Sequence, residues 1–274
     1  DILPQRIHTP SAWRLRVCIA PAALLDWPSD RDAMPPMPFT LRLLRSLLAA
    51  TLLCTGIAGA GTPPAAATPG ALPLDPVSSP AWIEDMARFA AEDAARPPPM
   101  RPVVFTGSSS VRMWPDLERA FGDLPVLNRG FGGSQFRDAV HYADEIAIRY
   151  RPRRVLVYSG DNDLMSGRSP AQVAADARRF AARIHRELPG TPVAFIAIKP
   201  SPFNAHRLGQ QREANALIAD WARRQPDVDY IDVFTPMLDA DGRPRAELFL
   251  ADGLHLNAQG YALWRRLVGA YLGR

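Results

Sequence analysis

Residues 103–110, VVFTGSSS, set an apolar run of β-branched and aromatic character against an abrupt glycine and three serines. Such a run bounded by turn residues reads as a buried strand. The pattern recurs along the chain. Gly133 follows Val126 and Leu127, Asn162 follows Val155 to Tyr158, and Asp252 and His255 follow the run Tyr230 to Phe234. In an open parallel α/β sheet the carboxyl ends of the strands share one edge, so polar groups distant in sequence converge there on one crevice. The converging chemistry is coherent: a hydroxyl nucleophile needs a base, an acid to orient that base, and donors for a developing oxyanion. Ser109, His255, Asp252, Gly133 and Asn162 are of the types those roles require.

Helical patterns separate the strands. Val173, Ala177, Phe180, Ile184 and Leu188 recur at intervals of four and three, as do Ala214, Leu217, Ile218 and Trp221, and each set makes one apolar face. A first helix is expected over about 82–95. A last one opens at Asn257, a good N-cap, and carries Tyr261, Trp264, Leu267, Val268 and Tyr271 inward. Alternating strands and helices predict a single α/β domain over 81–274: a flavodoxin-like three-layer arrangement around a central, mainly parallel five-stranded sheet.

Four blocks in this region resemble the SGNH or GDSL-type hydrolases, a family of esterases and acylhydrolases, and the resemblance runs from about Val103 to Leu272. Gly107-Ser108-Ser109-Ser110 places Ser109 at the nucleophile, with Ser108 where the family name has aspartate and Arg112-Met113-Trp114 as a flanking match. Asn128-Arg129-Gly130-Phe131-Gly132-Gly133-Ser134 assigns the oxyanion glycine to Gly133, with Gly132 as the neighbouring alternative. Gly160-Asp161-Asn162-Asp163 supplies Asn162, and Asp252-Gly253-Leu254-His255 supplies acid and base. The resemblance implies catalysis by Ser109, Asp252 and His255, an oxyanion hole from Ser109, Gly133 and Asn162, and no cofactor or metal. Short acyl esters are the expected substrates, with acetyl groups on carbohydrate among them. Lys199 and His206, in a loop beyond the expected fourth strand, Val193 to Ile198, are expected to contact substrate.

Other readings compete. Asp161, Asn162, Asp163, Asp252 and His255 are all potential metal ligands, as a metal-dependent phosphoesterase would need. A non-catalytic module holding a glycan or acyl group on the same fold is a second alternative, and acyl transfer to an acceptor other than water would use the same residues. His141 and His185 read as surface or satisfied partners, Ser110 and Ser134 as turn residues, and Trp114 as packing beneath the nucleophile turn.

The net charge of +4 and pI near 9.4 do not point to nucleic acid. Six of the arginines and four of the acids lie in residues 1–60, and the remainder is nearly neutral, with its arginines scattered beside acids on helices. Lys199 is the only lysine. Residues 34–60 resemble an export signal: Arg42 and Arg45, an apolar stretch from Leu47 to Ile57, then Ala58-Gly59-Ala60. That stretch is short for a bilayer span, so the mature domain is expected to be exported without stable membrane insertion. Leu53 before Cys54 argues against a lipid anchor there. Cleavage after Ala60 would remove both Cys18 and Cys54, and with them any disulfide. Residues 1–33 read as an upstream extension and 61–80, rich in Pro, Ala and Gly, as a linker. Oligomeric state is not legible.

Overall fold

The computed structural model describes residues 80–274. The expected extension, export signal, nearly all of the linker, and Cys54 therefore lie outside the described residues. Within them run α1 (Pro80–Ala95), β1 (Val103–Gly107), α2 (Ser109–Arg112), β2 (Val126–Gly130), α3 (Phe136–His141), α4 (Ala143–Ile146), β3 (Arg154–Tyr158), α5 (Asp161–Met165), α6 (Pro170–Glu187), β4 (Val193–Ile196), α7 (Leu208–Ala222), β5 (Val228–Ile231) and α8 (Ala258–Tyr271), with short 3-10 turns between them.

The five strands form one sheet in the order β2-β1-β3-β4-β5, and every pairing is parallel. Parallel strands covered on both faces are apolar on both sides, and alternate residues divide between two cores. Val104, Val155, Val157 and Phe195 join Phe89, Phe136, Phe180 and Ile218 from the helices of one layer. Val103, Phe105, Leu156 and Tyr158 join Trp114, Phe121 and Trp264 of the other. Trp264 is wholly buried and meets Trp114 edge-on at 5.7 Å, while Trp114 meets Phe105 at 5.9 Å. Each such aromatic pair adds about 1 kcal/mol beyond its burial. Trp114 thus lies directly beneath the turn that carries Ser109.

Local chemistry sets the ends of the elements. Ser169 accepts from the Gln172 N–H while the Gln172 side chain returns to the Ser169 N–H, and Pro170 occupies the first helical position of α6. Asn257 accepts from the N–H groups of Gln259 and Gly260 at the start of α8, as expected from sequence.

Two strands are shorter or displaced from the sequence expectation. The run Val193–Ile198 pairs only to Ile196, because the Asn215 side chain takes both the N–H and the C=O of Ile198 at 2.8 and 2.9 Å. The run Tyr230–Phe234 begins its strand earlier, at Val228, and leaves the sheet at Ile231, where the Val233 N–H turns back onto the Ile231 C=O at 3.1 Å.

The strand order reverses direction between β1 and β3. In this topology that switch point opens a crevice at the carboxyl edge, and it places the residues after β1 and after β3 opposite each other.

Candidate active site

Gly107 ends β1 at φ +113°, and a Cβ there would fall 1.8 Å from the Tyr158 carbonyl oxygen of β3. Only glycine lets the two strands stay this close while the chain turns. The Ser108 N–H then bonds the Tyr158 C=O at 2.9 Å, and Ser109 opens α2 half-buried at the crevice.

The imidazole arrives from 146 residues away, with His255 Nε2 at 3.1 Å from Ser109 Oγ. Its other nitrogen, Nδ1, is 2.7 Å from Asp252 Oδ2. Asp252 Oδ1 meanwhile accepts the N–H groups of Leu254 and His255, both at 2.9 Å. The hydrogen bond from His255, then those two backbone donors, hold the Asp252 carboxyl down to about 2, so it is ionised at neutral pH. An ionised carboxylate can only accept. Nδ1 therefore carries the proton, and Nε2 is left to accept from the Ser109 hydroxyl.

Asp252 and His255 do not lie at a strand end as the sequence suggested. They sit on a loop between a 3-10 turn at Ala246–Leu248 and α8, some twenty residues beyond β5. Backbone bonds fasten this loop: Leu250 N–H to His255 C=O at 2.8 Å, Gly253 N–H to Leu250 C=O at 2.9 Å, and Phe203 N–H to Gly253 C=O at 3.1 Å.

The second and third blocks are stapled together by side chains. Asn162 Nδ2 donates to the Ser134 C=O at 3.0 Å, and the Phe136 N–H donates to both Asp163 carboxylate oxygens at 3.1 and 3.3 Å. Gly133, at φ +80°, is exposed with open space where a Cβ would stand. Gly132 is not open: a Cβ there would meet the Arg112 guanidinium at 2.9 Å. Asp163 is fully buried, and burial, opposed in part by the Phe136 N–H, pushes its carboxyl up to about 7.

Lys199 is placed differently from the substrate contact expected of it. Lys199 is buried, its ammonium 2.6 Å from Asp161 Oδ2 and 3.1 Å from the Tyr158 hydroxyl. Gln211 Nε2 bonds Asp161 Oδ1 at 3.1 Å, and the Tyr158 hydroxyl also donates to Asp161. Burial and the adjacent Asp161 charge raise the Tyr158 hydroxyl well above its ordinary range. Lys199 thus locks β3, α5, β4 and α7 together behind the crevice and presents no charge to it. Its isolation as the only lysine in a chain of arginines was the one sequence signal of a special environment. His206 is exposed on a 3-10 turn and shares a hydrogen bond with its neighbour Arg207.

One further residue escaped the sequence reading. Trp82 on α1 donates from Nε1 to the Gly132 C=O at 3.2 Å, anchoring the glycine loop from outside the four blocks, and Arg112 flanks the same loop. The aspartates open to a metal reading are otherwise engaged, and among the described residues no three His, Cys, Asp or Glu side chains gather as ion ligands would. A separate cleft of about 870 Å³, bounded by Pro97–Pro99, Leu117 and Val126–Arg129, contains none of the candidate site residues.

The arrangement is a hydroxyl–imidazole–carboxylate relay beside an exposed glycine and an amide. Comparison with known proteins identifies the family and the fold. The model of the GDSL-like Lipase/Acylhydrolase family matches residues 100–263. No curated protein matches the chain. Solved structures share the fold. A protein of Streptococcus pneumonia aligns at 20% identity and TM-score 0.63, over 70% of this chain and 93% of that one. A GDSL-like lipase from Bacteroides thetaiotaomicron aligns at 18% identity and 0.59, over 69% and 97%. A carbohydrate esterase of family 3 from Talaromyces cellulolyticus aligns at 16% identity and 0.51, over 63% and 96%. At these identities the likeness is one of fold.

Proposed function

Because this chain belongs to the GDSL-like lipase/acylhydrolase family, we propose that it is a serine esterase that cleaves short-chain carboxylic esters through an acyl-enzyme. The observation that carries the reading is the pair of contacts on one imidazole, 3.1 Å to Ser109 Oγ and 2.7 Å to Asp252 Oδ2. Ser109 Oγ attacks the ester carbonyl carbon as His255 Nε2 takes its proton. The tetrahedral adduct collapses with loss of the alcohol, which leaves carrying that proton, and the acyl group stays on Ser109. Water then attacks the acyl-enzyme by the same route, and the carboxylic acid departs with Ser109 restored. Asp252 holds the tautomer that makes Nε2 the base and stabilises the imidazolium that forms.

The oxyanion is held by the N–H groups of Ser109 and Gly133 and by Asn162 Nδ2. Asn162 commits one amide hydrogen to the Ser134 C=O, which fixes the side chain and leaves the second to donate. The open face of Gly133 supports its assignment over Gly132, whose own face is covered by Arg112.

The substrates are small esters, acetyl groups on carbohydrate among them, a choice that the fold shared with a carbohydrate esterase supports. The mature domain acts outside the cytoplasm after removal of residues 34–60, without a lipid on Cys54. Among the described residues no helix is long and apolar enough to cross a membrane. The test is a series of p-nitrophenyl esters from acetate to palmitate with the Ser109→Ala variant alongside. Turnover greatest at two to four carbons and abolished in the variant is expected. Preference for long chains would refute the substrate assignment, and undiminished turnover in the variant would refute the mechanism.

A further inference from the structure

Arg112 is the last residue of α2, three positions beyond Ser109, and it is exposed. Among the described residues its guanidinium has no hydrogen bond and no acidic partner. The group is nevertheless seated. A Cβ on Gly132 would fall 2.9 Å from Arg112 Cζ and Nε and 3.0 Å from Nη2, so the guanidinium lies over the face of this glycine, where a larger residue would displace it. The seat itself is braced. Gly132 receives the Trp82 indole N–H through its carbonyl, and the backbone of α2 presses on the same loop at Gly130, where a Cβ would stand 2.3 Å from the Arg112 nitrogen.

A cation in this position lies one helical turn from Ser109 and one residue from Gly133. Arginine elsewhere in the domain is commonly tied up: Arg129 with Asp93, Arg168 with Asp176, Arg183 with Asp144. At the crevice Asp252 is the carboxylate closest to the imidazole, and it is consumed by His255 and two backbone donors. Arginine offers a rigid fork of donors matched to carboxylate-type oxygens. One face of this fork lies over Gly132, the neighbour of Gly133, and its donors make no hydrogen bond among the described residues, so they are free to bind an anion beside that glycine.

We propose that Arg112 is a substrate-binding residue that recognises an anionic oxygen group, such as a carboxylate, carried by the ester close to its scissile bond. The inference rests on the esterase reading above and adds the charge class of the substrate to it.

Matched pairs of esters differing only in that group test it. The first pair, 4-acetoxybenzoate and 4-acetoxybenzamide, puts the charge on the alcohol side. The second, mono-4-nitrophenyl adipate and 4-nitrophenyl hexanoate, puts it on the acyl side. The expected result is a kcat/KM ratio of anionic to neutral ester that falls about five- to tenfold in Arg112→Gln for at least one pair, the range of a hydrogen-bonded ion pair lost from a partly exposed site. The fall should lie mainly in KM, be partly rescued in Arg112→Lys, and be matched by loss of the wild-type preference in high salt. Arg266→Gln, on an exposed arginine of α8, makes the same change in net charge and should leave the ratio where it was. If Arg112→Gln lowers both members of each pair equally, the residue only positions the glycine loop and the proposal is overturned. A ratio that moves no more than in Arg266→Gln overturns it as well. Failure to turn over any of the four esters, with Ser109 unlabelled by a fluorophosphonate, would instead end the esterase reading and this proposal with it.

Discussion

Replacing Lys199 by Met should unfold the domain more readily while leaving affinity for short esters unchanged. The ammonium and the Asp161 carboxylate are both nearly inaccessible, 2% and 6% exposed, at 2.6 Å. At that distance and an effective dielectric near 20, their gross attraction is about 6 kcal/mol, much of it offset by the desolvation of both ions. Removing the lysine deletes the attraction and leaves Asp161 buried with only the Tyr158 hydroxyl and Gln211 Nε2 as donors. Breaking a buried pair from one side in this way costs about 3–5 kcal/mol, a large part of the 5–15 kcal/mol typical of a domain. The double variant Lys199→Met, Asp161→Asn removes the stranded charge and should recover more than half of the loss. Urea unfolding followed by circular dichroism reads both values, and p-nitrophenyl acetate kinetics read KM. A Lys199→Met protein with the wild-type urea midpoint and a raised KM would refute this reasoning and restore the lysine as a substrate contact.

Other outcomes follow from the same geometry. Asn162→Ala should lower kcat by about a hundred- to a thousandfold, near 3–4 kcal/mol, with little change in KM, since the donor is needed where charge develops; steady-state kinetics would show it. Asp252→Asn should cost about three to four orders of magnitude in kcat, because an amide no longer holds the imidazole in the tautomer that leaves Nε2 free. Asp163 predicts a pH effect on stability. The unfolded chain releases this proton near pH 4 and the folded protein near 7, so across that window the native state binds more protons and stability falls as pH rises. Three pKa units correspond to about 4 kcal/mol. In Asp163→Asn, which keeps an acceptor for the Phe136 N–H, that decline should be absent, and urea titrations of both proteins at pH 4 and 8 would reveal equal slopes if the reasoning is wrong.

The apolar runs at Val103–Phe105, Val126–Leu127 and Val155–Tyr158 disclosed their strands because each is buried on both faces and needs no polar alternation to mark it. The spacing in α6 and the Asn257 cap were legible for the same kind of local reason. The strand ends after Ile196 and Ile231 were not, since they depend on Asn215, a residue of α7, and on a backbone turn with no signature in the run itself. Four blocks of residue types were enough to bring Ser109, Asn162, Asp252 and His255 under suspicion. Where Lys199 would point was beyond reach: nothing local distinguishes a lysine at a loop from one folded back onto an aspartate 38 positions earlier. Trp82 was hidden for a related reason, as its importance comes from its bond to Gly132 and not from any motif it belongs to, while Arg112 was legible as a flanking match but its seat over Gly132 was not.

The proposed catalysis turns on a Ser109 hydroxyl activated by His255. Peptide mapping by mass spectrometry after treatment with a fluorophosphonate measures this directly, in the wild-type protein and in His255→Gln. A single adduct on Ser109, formed at a rate that collapses in the variant, is the predicted result. Modification of a different serine, or a Ser109 adduct that forms equally fast without the imidazole, would contradict it.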